Sequence, residues 1–392
     1  MRGSLARKIH SVNRLFEERP WAVWLVILAL FLIGQSVATL IESLPIGPKL
    51  APDSGRYIAG GENFPHLDKV QWGYAGYCFL MWIDNLAGAD NWLIVILQAA
   101  IAILAARALW DLAKTYGGHL AGFLAASIYL VNPLIATWTR YVLTETFFYA
   151  STIFLLWGLN TWFGSTRRLT WPLVIGVVGS LAMRPNGVIL IPAFLAVFIL
   201  LSEMRRGLRI PIAAVSFLAV GLLVSALPTF ESGGGGAANS FVQRAARGEV
   251  LWNDSEWSIE MPPVAADATS NADYIRYILE HPVDVAKLGA ARLGLELIQV
   301  RPQRPDVYNG FTAVIMAGFI ALFVVGAIRY RRTPLMGAVA VISLPYMGLI
   351  AITWAIQEGR FCWWFMTAWI PVVALVASST AKGSDDLESV SR

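Results

Sequence analysis

Charged residues and cysteines are scarce in this chain of 392 residues. Only 14% of the residues are charged, against about 25% in an average soluble domain. Two cysteines, Cys78 and Cys362, are too few for a disulfide framework or a thiolate metal site. Hydrophobic residues make up 57% of the chain, which indicates a bilayer as solvent and excludes a water-soluble globule, a disordered chain or a coiled coil.

The motifs that bind nucleotides or activate a serine are also missing. No Gly-x-x-x-x-Gly-Lys loop, dinucleotide fingerprint or Gly-x-Ser-x-Gly elbow occurs, and the run of glycines at 233–236 is interpreted as a linker. The single His66 beside acidic residues is weak evidence for a metal. We therefore expect neither a soluble nucleotide substrate, nor a cofactor, nor a metal site.

Ten apolar segments approach the length of about 20 residues that crosses a hydrocarbon core. An even number places both termini on one side, and the first segment lacks a small-residue cleavage site, so we expect it to be retained. The sequence thus predicts an all-α polytopic integral membrane protein, with one transmembrane domain over residues 1–392. The predicted spans are 21–41, 93–110, 120–137, 146–163, 171–183, 187–202, 210–229, 310–328, 335–355 and 362–380.

The basic residues fall mainly in alternate connections. Because Lys and Arg accumulate on the cytoplasmic side of short loops, both termini are expected to be cytoplasmic in a multi-pass protein of the cell membrane, in particular a bacterial inner membrane. The net charge of +4 then reflects topology, and no nucleic-acid partner is expected. The residues in question are Arg2, Arg7, Lys8, Arg14, Arg19, Arg107, Lys114, Arg167, Arg168, Arg205, Arg206, Arg209, Arg329, Arg331, Arg332, Lys382 and Arg392.

Two long segments, 42–92 and 230–309, are expected on the outer side of the membrane. The first includes Trp72–Ile83, which is amphipathic and too short to span, so it is predicted to lie at the interface. The second contains two further predicted helices, Tyr274–Glu280 and Val283–Val300, which are separated by a proline. Interfacial helices are therefore expected in both outer loops.

Asp53, Arg56 and Tyr57 form the first group of candidate functional residues. Asp53 and Arg56 share one face if a helical turn forms after Pro52. Such a group is able to activate a hydroxyl through its carboxylate while the arginine and the phenol engage a phosphate. The alternative is a solvated turn in which Asp53 caps a helix.

Each short outer turn carries an arginine, namely Arg140, Arg184 or Arg360. All three are predicted on the outer side of the membrane, whereas basic residues usually accumulate on the cytoplasmic side. The spans that flank Arg184 are short, which predicts that this residue lines a polar cavity below the outer surface. Converging arginines indicate a lipid phosphate or pyrophosphate ligand, and the alternative is that each snorkels to headgroups or stabilises a helix C-terminus.

Glu145 begins a predicted span directly after Thr144. The helix dipole favours an acid in the first turn whatever the function. A structural role and a functional role for Glu145 are therefore equally open.

The order of these motifs resembles that of the polytopic GT-C glycosyltransferases, in particular the protein mannosyltransferase-like group that includes the lipid A aminoarabinose transferases. The resemblance implies a GT-C-like fold and transfer of a sugar, with inversion, from a polyprenyl-phosphate donor to a lipid, glycan or protein acceptor on the outer face of the membrane. It is carried by Asp53-Ser54-Gly55-Arg56-Tyr57, Gly73-Tyr74-Ala75-Gly76-Tyr77, Leu143-Thr144-Glu145, Met183-Arg184-Pro185-Asn186-Gly187, His281-Pro282 and Glu358-Gly359-Arg360-Phe361.

The resemblance also implies roles for individual residues. Asp53 matches a catalytic acid that serves as base for the acceptor hydroxyl, and Glu145 takes the place of a second acid. Donor-phosphate binding is expected of Arg56, Tyr57, Arg140, Arg184 and Arg360. Ser54 departs from the acidic pair of many protein mannosyltransferases, which leaves the class of acceptor open.

Two other classes of function are compatible with the composition. A lipid or solute transporter also needs polar cavities, but it usually shows repeated halves and polar residues deep in its helices. A glycan ligase or polymerase of another fold would use arginines and histidines of the outer loops without Asp53. The acids and arginines of this chain gather on one side, which favours the transferase.

Overall fold

The computed structural model describes residues 16–42, 47–166, 170–190, 240–251, 257–301, 304–353, 355 and 360–382. Within these ranges the regular structure is helical, apart from three isolated bridges between extended residues. The expected all-α class is confirmed. The described α-helices of six or more residues are α1 (Pro20–Glu42), α2 (Ser54–Asn63), α3 (Ala75–Ala87), α4 (Trp92–Val131), α5 (Glu145–Thr161), α6 (Trp171–Met183), α7 (Phe241–Ala246), α8 (Asn271–Glu280), α9 (Pro282–Ile298), α10 (Asp306–Arg329), α11 (Pro334–Ile352) and α12 (Ile370–Lys382).

Four of the described helices, α1, α4, α10 and α11, are long and apolar enough to cross a membrane. Helix α4 has 40 residues but is divided at Gly118, whose φ of 75° is accessible to glycine without a steric penalty. Its two arms correspond to the predicted spans 93–110 and 120–137. Helices α5, α6 and α12 fall on further predicted spans, whereas nearly all of 187–202 and the whole of 210–229 lie outside the described residues.

Helices form in both segments, 42–92 and 230–309, that are predicted to lie on the outer side of the membrane. The stretch that is predicted to be interfacial forms a 3₁₀ turn at Gln71–Tyr74 followed by α3, and Trp72 and Leu86 are exposed there. Its location at the membrane surface stays a prediction. In the second segment Pro282 is the first residue of α9, directly after α8 ends, as the sequence predicts. The linker predicted at 233–236 lies outside the described residues.

The main core is formed by α1, α4, α5, α11 and α12. Alanines dominate the buried face of α4, and small side chains allow close approach between helices. Aromatic residues fill the remaining space, with Trp110, Tyr149, Tyr346 and Trp364 all buried. Two separate hydrophobic clusters lie around the long segments, one joining Tyr57 and Tyr77 to Val142 and Leu143, the other between α7, α8 and α9 with Ala355.

Glycines fix the antiparallel contact between α5 and α6. A Cβ placed on Gly176 would lie 2.4 Å from the backbone nitrogen of Leu155, and one on Gly158 would lie 2.5 Å from the backbone of Leu173. Only glycine fits at such contacts. Because the two helices pack antiparallel, the beginning of α5 lies next to the end of α6. This register brings Glu145 beside Arg184.

Candidate active site

Two carboxylates and two guanidinium groups from four distant parts of the chain meet at one place. Nη2 of Arg360 lies 2.7 Å from Oδ2 of Asp53, and Nη1 of the same side chain lies 3.0 Å from Oε1 of Glu145. Arg184 donates to that same Glu145 oxygen and to the hydroxyl of Thr144. The structure therefore brings together the two predicted acids and two of the predicted arginines.

Asp53 occupies the N-cap position of α2 but makes no capping hydrogen bond. Its neighbour Ser54 holds the beginning of the helix in place, because the Ser54 hydroxyl donates to the carbonyl of Val142 at 2.9 Å and accepts from the amide of Ala51 at 2.8 Å. The Asp53 side chain is thus turned toward Arg360 rather than toward its own helix. The helix-capping alternative for Asp53 is wrong.

The Asp53 carboxyl is one-third exposed and remains ionised. Burial raises its pKa, but the charge and hydrogen bond of Arg360 lower it, with smaller contributions from Arg56 and Arg184. The net effect is a pKa below the usual value of an aspartate. Asp53 therefore presents a charged carboxylate at the exposed end of the cluster.

Glu145 is the first residue of α5 and is completely buried. The helix dipole favours an acid at this position, but it does not account for two arginines on one carboxylate. The second oxygen, Oε2, has no hydrogen-bond partner among the described residues. A buried, ionised glutamate is tolerated here because Arg184 and Arg360 balance its charge.

Arg184 follows the last residue of α6 and has an extended backbone, with φ −152° and ψ 141°. Its side chain is 5% exposed, and the guanidinium lies 5.1 Å from the ring centre of Trp364 and 5.9 Å from that of Phe361. Stacking on aromatic rings and a carboxylate partner are typical of a buried arginine. Arg184 is therefore buried and is not a surface cation, whereas the polar cavity expected around it stays a prediction.

Arg56 and Tyr57 lie at the edge of the cluster. Arg56 is exposed, and its guanidinium lies 5.8 Å from the ring centre of Tyr74. Tyr57 is buried between the rings of Tyr74 and Tyr77, each 5.1 Å away, and burial raises the pKa of its phenol. Arg56 thus adds an accessible positive charge at the edge of the cluster, while the buried Tyr57 ring packs against Tyr74 and Tyr77.

Arg140 is bound differently from the other predicted arginines. Its Nε donates to the side chain of Gln35 at 2.8 Å, and it also donates to the carbonyl of Gln35 on α1. The backbone carbonyl of Arg140 accepts from the amide of Lys49. These contacts tie the first outer segment to α1 and favour a structural role for Arg140, although through Gln35 and not through headgroups or a helix C-terminus.

Two further residues near the cluster, Tyr149 and Trp138, belong to none of the motifs described above. The hydroxyl of Tyr149 donates to the carbonyl of Arg360 at 2.9 Å, and the guanidinium of Arg360 lies 5.9 Å from the ring centre of Trp138. Tyr149 is four residues after Glu145, and this spacing places both on one helix face. That signal was available in the sequence, whereas nothing local indicates Trp138.

Comparisons with known proteins agree with the resemblance found in the sequence. Residues 76–229 match the family model described as dolichyl-phosphate-mannose-protein mannosyltransferase, and this range includes Arg140, Glu145 and Arg184 but neither Asp53 nor Arg360. The expected likeness to the GT-C glycosyltransferases is thus confirmed. A comparison with curated proteins gave no match.

Among solved structures, this chain is similar to the archaeal oligosaccharyltransferase AglB from Archaeoglobus fulgidus in complex with an inhibitory peptide and a dolichol-phosphate. The sequence identity is 15% and the TM-score is 0.43. The similarity covers 93% of this chain and 50% of the archaeal protein, so the chain spans half the length of that relative.

Proposed function

We propose that this chain is a membrane glycosyltransferase that moves a sugar from a polyprenyl-phosphate donor to a lipid, glycan or protein acceptor on the outer side of the cell membrane. The observation that carries the proposal is the contact of Arg360 with both Asp53 and Glu145. It joins an exposed carboxylate to a buried group of arginines. A proton acceptor and an anion site are the two elements that such a transfer needs.

The arginines are suited to a phosphate leaving group. Arg184 and Arg360 are buried, whereas Arg56 is exposed and its charge acts on the same Asp53 that binds Arg360. Guanidinium groups bind phosphate oxygens in a bidentate manner, and they stabilise the charge that develops when the bond between sugar and phosphate breaks. We assign donor-phosphate binding to Arg56, Arg184 and Arg360, with Tyr57 as a supporting residue.

Asp53 is the proposed base. The acceptor hydroxyl attacks the anomeric carbon as the polyprenyl phosphate leaves from the opposite face, and the hydroxyl proton passes to the Asp53 carboxylate. This displacement inverts the configuration of the sugar. A donor phosphate that competes for Arg360 weakens the interaction that lowers the pKa of Asp53, so donor binding increases the basicity of the group that then accepts the proton.

Glu145 has a different proposed role. It is buried with no exposed surface and balances two arginines, so it holds the donor-binding groups in position. Its carboxylate does not reach the exposed end of the cluster, where Asp53 lies. The second acid expected from the family resemblance is therefore assigned to organising the site rather than to proton transfer.

The test is transfer from a panel of radiolabelled polyprenyl-phosphate sugars in membranes that contain the wild-type chain, Asp53→Asn or Asp90→Asn. Asp90 is a matched control because it is exposed in the same outer segment and has a φ of 47°, which asparagine adopts readily. We expect transfer by the wild type and by Asp90→Asn, and a loss of about 10²- to 10⁴-fold in Asp53→Asn. Absence of transfer with every donor, from folded protein, would favour the transporter instead.

A further inference from the structure

Arg360 is held in position through the backbone that follows it. Its carbonyl accepts a hydrogen bond from Tyr149 at 2.9 Å, and the amide of Cys362 donates to Oε1 of Glu296 at 3.1 Å. Tyr149 and Glu296 are both completely buried. The two peptide groups on either side of Phe361 are thus fixed by side chains from α5 and α9.

Glu296 belongs to a buried ion pair at the end of α9. Its Oε2 lies 2.6 Å from Nη2 of Arg301, and neither side chain has exposed surface. Gln299, at the C-cap of α9, donates to the Glu296 carbonyl at 2.6 Å and lies 3.0 Å from the sulfur of Cys362. A buried pair of this kind adds little to stability compared with apolar residues of the same size, so its position beside Cys362 calls for another explanation.

The same outer segment also holds the chain on the other side of Arg360. Arg292 of α9 donates to the carbonyl of Ala351 at 3.2 Å, and the Tyr274 hydroxyl of α8 donates to the carbonyl of Ile352. The amide of Ala355 donates to the carbonyl of Val250 at 3.0 Å. Contacts from the second outer segment therefore precede and follow Arg360 along the chain.

We infer that Glu296 is a positioning residue for Arg360, and that the outer segment sets the place of this guanidinium relative to Asp53 and Glu145. The inference rests on the proposed function, because it assigns to Glu296 a part in the same donor site. Glu296 acts on Arg360 through the amide of Cys362, two residues later in the chain.

The decisive variant replaces both members of the pair, Glu296→Met with Arg301→Met. This exchange removes the acceptor for Cys362 without leaving a buried charge unpaired. The matched control is Arg244→Met with Glu249→Met, which removes another buried ion pair of the same outer segment. Tyr149→Phe is the second test, because it removes only the hydroxyl that binds the Arg360 carbonyl.

Two measurements report on Arg360. The first is the binding of polyprenyl phosphate to the purified full-length protein. It is monitored by the quenching of tryptophan fluorescence, since Trp138 lies beside Arg360 and Trp364 lies beside Arg184. The second is the pH profile of sugar transfer. We expect both Glu296→Met/Arg301→Met and Tyr149→Phe to bind polyprenyl phosphate roughly tenfold more weakly. The acid limb of their profiles should move to higher pH, because a displaced Arg360 no longer lowers the pKa of Asp53.

The control pair should bind as the wild type does, whatever its thermal stability. If folded Glu296→Met/Arg301→Met keeps the wild-type affinity and acid limb, the positioning role is overturned. If that double variant does not fold, Glu296→Asp decides the question in the same way, because it keeps the charge that balances Arg301 but shortens the side chain that accepts from the Cys362 amide. Failure of the wild type to bind any polyprenyl phosphate would instead refute the proposed function, so the two failures are distinguishable.

Discussion

Nη1 of Arg360 lies 3.0 Å from Oε1 of Glu145, although the two residues come from opposite halves of the chain. Arg184 donates to the same oxygen. The buried Glu145 carboxylate thus contacts two guanidinium groups, of which Arg360 also contacts Asp53. The arrangement has different consequences for the loss of the acid and for the loss of one arginine.

Glu145→Gln is expected to destabilise the protein more than Arg184→Gln. The first change leaves the buried Arg184 facing a neutral amide, whereas Arg360 keeps Asp53, and the loss of the partner of a buried charge costs about 3–5 kcal/mol. The second leaves Glu145 with Arg360, and the loss should be near the roughly 1–3 kcal/mol of one charged hydrogen bond. Thermal unfolding of the purified proteins in one detergent measures the order, and equal midpoints would contradict the shared-carboxylate arrangement.

Arg360→Gln is expected to shift the pH dependence of sugar transfer. Because Arg360 lowers the pKa of Asp53 by its charge and its hydrogen bond, the wild type keeps an ionised base down to a pH below the usual aspartate value of about 3.9. Without Arg360, burial raises the pKa, so activity falls at a higher pH than in the wild type. At pH values above the usual aspartate pKa of about 3.9, the Asp53 carboxylate of the wild type stabilises the fold. This contribution is lost as the pH falls through the lowered pKa of Asp53.

Arg56→Gln is the graded control for this shift. The charge of Arg56 lowers the pKa of Asp53 less than Arg360 does and without a hydrogen bond, so its acid limb should move in the same direction by a smaller amount. The measurement is kcat/KM for the donor against pH, at donor concentrations well below KM, because this quantity reports the pKa of Asp53 in the free enzyme. A larger shift for Arg56→Gln than for Arg360→Gln would show that the contact between Arg360 and Asp53 does not control this titration.

The helices and the candidate acids follow from local sequence signals, whereas the pairing of the charges does not. Apolar runs and the proline at 282 predict the helices, and Asp53 and Glu145 stand out as acids in outer turns. The choice of partner depends on contacts over long distances in the chain. Gly158 and Gly176 set the register of α5 on α6 only once the two helices meet. Arg140 shows the limit, since like Arg184 it is an arginine in a predicted short outer turn, but it binds Gln35.

Arg140→Gln is therefore expected to have little effect on donor binding. Its guanidinium binds Gln35 on α1, so the change should alter the donor KM by less than about threefold while lowering thermal stability. Arg184→Gln and Arg360→Gln should each raise the donor KM by at least about tenfold, the equivalent of one charged hydrogen bond. Steady-state transfer at varied donor concentration distinguishes the groups, and a tenfold increase for Arg140→Gln would return this residue to the donor site.

Gly176→Ala tests whether the contact between α5 and α6 places Arg184. The added methyl group would lie 2.4 Å from the backbone nitrogen of Leu155, which has no flexible end that could move aside. The helices must separate, at a cost of about 1–3 kcal/mol. Because Arg184 directly follows α6, the same displacement weakens its contact with Glu145 and should raise the donor KM.

Gly318→Ala in α10 is the matched control, since a Cβ at this position meets no atom within 4 Å. There the exchange should stabilise the helix by roughly 0.5–1 kcal/mol and leave the donor KM unchanged. Unfolding midpoints and donor KM are measured on the same preparations. If Gly176→Ala loses stability but keeps its donor KM, the contact between α5 and α6 supports the fold without setting Arg184, and the donor site must be held by Arg360 and its own backbone contacts instead.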